Sequence, residues 1–115
     1  MAGETLHEER SALDAEILDR HRAISTFMEE LEAIDWYDQR IKAATCPELQ
    51  AVLAHNRNEE KEHASMLLEW LRRNDAEFDT HLRTFLFSQG PIREVKPGNG
   101  AQAATGGLSI GSLKG

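Results

Sequence analysis

From about Glu8 to Ile41 the residues Leu13, Ile17, Ile24, Met28 and Leu31 recur at helical spacing with no proline or glycine among them. This is the pattern of a long amphipathic helix. The stretch "AATCPELQ" interrupts it. Thr45 with Glu48 three residues on has capping-box spacing, and Pro47 is tolerated only in a first helical turn. The pattern therefore predicts a second helix from about Pro47 to Arg73. Asn74 with Glu77 repeats the start signal, and Phe78, Leu82, Phe85 and Leu86 predict a third, shorter helix ending before "QGP". Strand signals are absent, so the expected fold class is all-α. A joint of only a few residues makes the two long helices an antiparallel two-helix hairpin.

Composition changes after Ser88. Of 8 glycines and 3 prolines, all but Gly3 and Pro47 lie between Gly90 and Gly115, a composition that neither continues a helix nor builds a core. The expected organisation is a helical domain over 1–89, a flexible linker over 90–105 and a terminal peptide over 106–115. The chain carries 20 acidic and 13 basic side chains, net -7. The tail holds Arg93, Lys96 and Lys114 against Glu94, so the body has 20 - 1 = 19 acidic against 13 - 3 = 10 basic, net -9. Such a body attracts cations and repels nucleic acid. Cys46 is the one cysteine, which leaves no intrachain disulfide and suggests a reducing compartment. "MAGETLHEER" lacks the regions of a secretion signal, and no apolar run is long enough for a bilayer, so the expectation is a cytosolic chain without a membrane partner.

The charge pattern has one conflict with the apolar one. At 100° per residue Leu49, Leu53, Leu67 and Leu71 fall within about 20° of Glu60, with His63 about 60° away. Glu59 and Lys61 lie to either side and Glu62 nearly opposite, so these have a solvent route that Glu60 lacks. On the first helix Ala23, Ile34, Tyr37 and Ile41 fall within about 40° of Glu30, while Glu29, Glu32 and Trp36 share a separate face about 60° wide. With the turn centred between Ala44 and Thr45, Glu30 and Glu60 both stand roughly 22 Å from it. Two carboxylates and an imidazole are thereby expected at one height.

Close carboxylates repel each other and are costly to bury, and a divalent metal removes both problems. Oxygen and imidazole ligands suit iron, manganese or zinc. The bland alternative is that Glu60 and His63 hydrogen-bond each other or reach solvent at a subunit edge. A di-iron carboxylate bundle uses a Glu from each of two helices and a Glu-x-x-His from each of two others. One hairpin supplies half of that set, so the chain reads as half a site, completed by dimerising into a four-helix bundle.

These residues resemble a known family. "RHRAI", "MEELEAIDWYDQR", "HNRNEEKEHASMLLEWLRRND" and "HLRTFLF" are similar to the encapsulated ferritins, the short ferritin-like proteins packaged inside encapsulin shells. The resemblance covers about residues 20–90. It implies a ferroxidase, oxidising iron(II) to iron(III) at a di-iron (Fe) centre on a homodimer interface, for mineral storage. It also implies dimers associating into a ring, a decamer, and localisation in an encapsulin nanocompartment of the bacterial or archaeal cytoplasm. Carried over by motif, Glu30, Glu60 and His63 are the iron ligands, Glu60 the bridging carboxylate and Tyr37 a nearby hydrogen-bonding partner. Glu29, Glu32 and Trp36 resemble the family's iron-uptake site, and other divalent cations such as calcium (Ca) or zinc (Zn) are further expected ligands of the protein. The ending "GGLSIGSLKG" resembles the family's cargo-loading peptide, with Leu108, Ile110 and Leu113 as apolar anchors for the shell protein; the plain alternative is an inert terminus.

Other motifs carry less. His55 with Glu59 has a hemerythrin-like spacing without the further histidine pairs that fold needs. Met28 and Met66 read as core, Cys46 as a bystander in the turn, and Arg72 with Arg73 as cations suited to a helix C-terminus. Two other functions stay open at this point: a di-metal peroxidase on the same bundle, and a metal-free adaptor that carries cargo into a shell.

Overall fold

A computed structural model describes residues 6–98, which form helices and loops with no strand among them. The chain divides into a unit ending at Leu71 and a second beginning at Arg72. Helix α1 spans Ala15–Ala43, α2 spans Pro47–Arg73 and α3 spans Ala76–Phe85. No helix among the described residues is long and apolar enough to cross a membrane.

The helix ends follow from individual side chains. α1 begins at Ala15 and not near Glu8, because the extended Asp14 accepts a hydrogen bond from the Ile17 N–H at 2.9 Å and caps the helix there. The residues before it wind separately into a 3-10 turn, Arg10–Ala12. α2 has the expected limits, but its cap position falls on Cys46 and not Thr45: the Cys46 carbonyl accepts the Gln50 N–H at 2.9 Å, and Pro47 fills the first helical position. The Gln50 side-chain amide reaches back and donates to the carbonyls of Ile41 at 3.0 Å and Ala44 at 2.6 Å, closing the joint between α1 and α2.

Within the first unit, buried and half-buried positions trace one seam on each helix. Ala23, Phe27, Glu30, Ile34, Tyr37 and Ile41 on α1 alternate four and three residues apart, as do Leu53, Arg57, Glu60, Ala64, Leu67 and Leu71 on α2. That is the 3.5-residue period with which two helices pack side by side. Arg57 donates from the α2 seam to Asp38 of α1 at 2.9 Å. Only Ala23, Ala64 and Leu71 are fully buried apolar residues among those described, however. Ile17, Ile24, Met28 and Leu31 form a second stripe on α1, and Val52, Met66 and Trp70 a second stripe on α2; all seven are exposed, as is Leu49 in the first turn of α2, in phase with the seam. Each stripe lies about 100° from its helix's seam, in opposite rotational senses along the two chain directions. Since the helices are antiparallel, the two stripes come out on opposite sides of the hairpin.

The second unit is organised by Asp79. Its carboxylate accepts from the Arg72 guanidinium, and from Arg83 Nε at 2.9 and 3.1 Å. α3 is capped by Asp75, which accepts from the Phe78 N–H at 3.1 Å, in place of the expected Asn74. Thr84 is buried and donates to the Thr80 carbonyl at 3.1 Å. Past α3, Phe87 adopts φ +61°, a left-handed conformation uncommon for an aromatic residue, with its side chain exposed. The first residues of the segment expected as a linker hold a 3-10 turn at Ile92–Glu94, in which the Glu94 N–H bonds the Pro91 carbonyl at 3.0 Å.

Candidate metal centre

The two seams carry Glu30 and Glu60 to one level and His63 joins them. One ligand atom from each of Glu30, Glu60 and His63 lies within 4.8 Å of the others, the one such group of three among the described residues. His63 Nδ1 is 2.9 Å from Glu60 Oε1 and 3.6 Å from Glu30 Oε1. The hydrogen bond between Glu60 and His63, weighed above as the alternative to metal binding, is present; the third ligand beside it is what the alternative did not require.

Burial grades across the cluster. The side chains of Glu30 and Glu60 retain 19% and 25% of their accessible surface, whereas His63 retains 46%. Glu60 occupies the inner seam, but His63 falls beside Val52 and Trp70 at the edge of the exposed stripe of α2. The Glu-x-x-His spacing therefore straddles two faces. His63 stands on the rim of the single hairpin and not inside it, where another chain's groups can approach it.

The titration of the three groups reflects their crowding. A hydrogen bond to Glu60, burial and the Glu60 charge raise the Glu30 carboxyl above its ordinary value, against the pull of His63. The same hydrogen bond from Glu30, with that from His63, holds Glu60 below its ordinary value despite burial. His63 is raised, first by its bond to Glu60 and then by the charges of both carboxylates, against desolvation. Protons thus screen two carboxylates from each other, the task that a cation performs with greater charge. Two carboxylates and an imidazole fit a divalent first-row metal, and three ligands leave its coordination incomplete.

The remaining sequence-predicted residues do not join this group. Tyr37 is half-buried on the α1 seam, two turns or about 10 Å along the axis from Glu30. Glu29 and Glu32 are half-buried and Trp36 exposed, on their own face of α1. Leu108, Ile110 and Leu113 lie outside the described residues. Three side chains that the sequence reading passed over belong near these elements: Asp38 and Arg57, paired across the hairpin, and Arg40, whose guanidinium lies 5.8 Å from the Trp36 ring centroid and 5.9 Å from that of Tyr37. The i to i+4 and i to i+3 spacing of Arg40 from the two aromatics was the available signal.

Known proteins resemble the chain along most of its length. The family described as EncFtn-like matches residues 5–89. The encapsulated ferritin-like protein of Rhodospirillum rubrum is 57% identical over 122 residues, covering 95% of this chain and 87% of that protein. The ferritin-like protein of Thermotoga maritima is 45% identical over 109 residues, covering 93% and 96%. A crystal structure of a Nitrosomonas europaea protein superposes with a TM-score of 0.75 at 53% identity, covering 77% of this chain and 98% of that one. With the paired seams and their Glu30, Glu60 and His63 cluster, this extent of similarity establishes that the chain belongs to the encapsulated ferritin-like family.

Proposed function

We propose that the protein is a ferroxidase, oxidising iron(II) to iron(III) at a di-iron centre completed between two copies of the chain. The observation that carries this reading is the position of Glu30, Glu60 and His63: three ligand atoms within 4.8 Å, with His63 on the rim beside an uncovered apolar stripe. Two copies meeting along that stripe would bring four carboxylates and two imidazoles together, the ligand set of a di-iron bundle. Iron supplies the redox change, each iron(II) losing one electron to dioxygen or peroxide. The protein's part is electrostatic. Four carboxylates at -4 balance two iron(II) at +4, but meet +6 once both are oxidised, so the product must gain anionic bridges or leave. Glu29, Glu32 and Trp36 serve uptake of iron(II), other divalent cations such as calcium or zinc can also bind, and Tyr37, two turns from Glu30 on its own chain, would act as a hydrogen-bonding partner to groups brought by the second copy.

The second apolar stripe, Ile17, Ile24, Met28 and Leu31, faces the other side of the hairpin and stays open after the first pairing. Alternating two such faces extends an assembly until it closes, which supports a ring of dimers, a decamer in our reading. A ring built from hairpins has no evident means of enclosing mineral. The name of the Rhodospirillum rubrum relative supports packaging in an encapsulin compartment, with Leu108, Ile110 and Leu113 docking on the shell protein. The direct test adds iron(II) to purified full-length protein while dissolved oxygen and bound metal are measured. Saturable oxidation with two iron ions bound per dimer is expected; oxidation no faster than in buffer would refute the reading.

A further inference from the structure

One cationic side chain lies between the two aromatic residues assigned above to different tasks. Trp36 and Tyr37 project about 100° apart, the first on the face with Glu29 and Glu32, the second on the inner seam. Arg40, one turn later, lies angularly between them, and its guanidinium stands 5.8 Å from one ring centroid and 5.9 Å from the other. Both distances are within the range of cation–π attraction. Gln39 is turned aside, its amide donating to Asp35 Oδ1 at 3.3 Å, and Trp36, Gln39 and Arg40 line a shallow depression of about 280 Å³. The face therefore runs from carboxylates, through an indole, to a guanidinium lying against that indole. Trp36 is exposed, so without this contact more than one rotamer is open to its ring.

The geometry points to Arg40 as a positioning residue for cation uptake: its guanidinium holds the Trp36 indole in one orientation beside Glu29 and Glu32. It touches no metal and acts through the indole. This inference rests on the uptake reading of that face, and its test separates the two. In full-length protein carrying Trp70→Phe, Trp36 is the one indole, so its quenching by acrylamide reports ring mobility and its quenching by cobalt(II) reports cation binding at the face. Arg40→Gln should increase acrylamide quenching and raise the half-saturating cobalt(II) and iron(II) concentrations about two- to fivefold, leaving the maximal oxidation rate within about 1.5-fold. Arg40→Lys, which keeps the charge, should recover most of the loss. In a Trp36→Ala background, Arg40→Gln should shift the half-saturating iron(II) concentration no further.

Unchanged acrylamide quenching in Arg40→Gln would overturn the proposal, as would an Arg40→Gln effect of full size in the Trp36→Ala background, which would mean that the charge acts without the ring. Absence of cobalt(II) quenching in the parent protein would overturn the uptake reading itself. Quenching present but insensitive to Arg40→Gln would overturn Arg40's role alone.

Discussion

Each unit of this chain holds a cluster built on carboxylates, and the two are neutralised in different ways. In the second unit Asp79 lies between the guanidinium groups of Arg72 and Arg83. In the first unit Glu30 and Glu60 face each other, and the one cationic group among the three, His63, is charged only when protonated. Burial pushes the Asp79 carboxyl up, but the two arginines more than offset this and hold it below its ordinary value. Glu30 is instead raised by its neighbour. A carboxylate with fixed cations beside it is a structural joint. A carboxylate beside another carboxylate, screened only by protons, has capacity left for a metal.

Substitution at Glu60 breaks the comparison most severely. Glu60→Ala would remove two ligands from the proposed dimeric centre and should slow iron(II) oxidation by at least about 100-fold, with helicity by circular dichroism near that of the parent protein. Oxidation at the parental rate would place the chemistry elsewhere. His63→Ala should behave alike.

Next in size is the response to pH, where the clusters have opposite signs. His63 is raised above 6.5, so its proton favours the metal-free fold below that value, and the contribution is lost as pH rises through the raised pKa. A metal competes with that proton. Affinity for zinc should fall as pH is lowered through the raised range of His63, by up to about tenfold per unit, and binding calorimetry in buffers of different ionisation enthalpy should record proton release. Asp79 is held below 3.8; its contribution is complete above that value and is lost as pH falls through its lower value in the fold. Zinc affinity that does not change with pH as it rises from 6.5 would contradict the assignment of His63.

The smallest expected effect is that of Asp79→Asn, which leaves two guanidinium groups facing a neutral amide. The joint is partly exposed, so about 1 kcal/mol of stability should be lost by urea denaturation. Iron oxidation should stay within about twofold of the parent. A large loss of oxidation would mean that the two clusters are coupled.

The hairpin was legible because Pro47 can occupy few positions in a helix and because a 3.5-residue phase places Glu30 and Glu60 by counting alone. Their equal height needed only the rise per residue. The period could not say which apolar stripe met which partner. Ile17, Ile24, Met28 and Leu31 give the clearest helical pattern in α1, yet the structure packs the hairpin through Ala23, Phe27, Ile34 and Ile41 and leaves that pattern exposed. A helix with two neighbours needs two stripes, and a periodicity does not name the neighbour. For the same reason the angle of about 60° between Glu60 and His63 did not say that the imidazole stands at the edge of the exposed stripe. The α3 cap moved from Asn74 to Asp75 because both side chains suit a cap and only the backbone geometry selects the one that reaches Phe78. Asp38 and Arg57 lie 19 residues apart, and spacing alone gives no reason to pair them.

The double hydrogen bond from Gln50 bears on the order in which the protein forms. It ties the first turn of α2 to the last turn of α1 across a very short loop, so the earliest contacts of the hairpin lie close in sequence and need little loop closure. Hairpin zipping from that end is a unimolecular event of microseconds to milliseconds and does not depend on chain concentration. In the proposed assembly, covering the exposed stripes requires chains to meet, a step that slows on dilution. A refolding experiment should therefore resolve a fast phase that restores helicity independently of concentration, followed by a slower phase that scales with it. Gln50→Ala should retard only the first. Each arriving chain would then bring Glu30 and Glu60 already in register, and assembly would join half-sites that are finished before they meet.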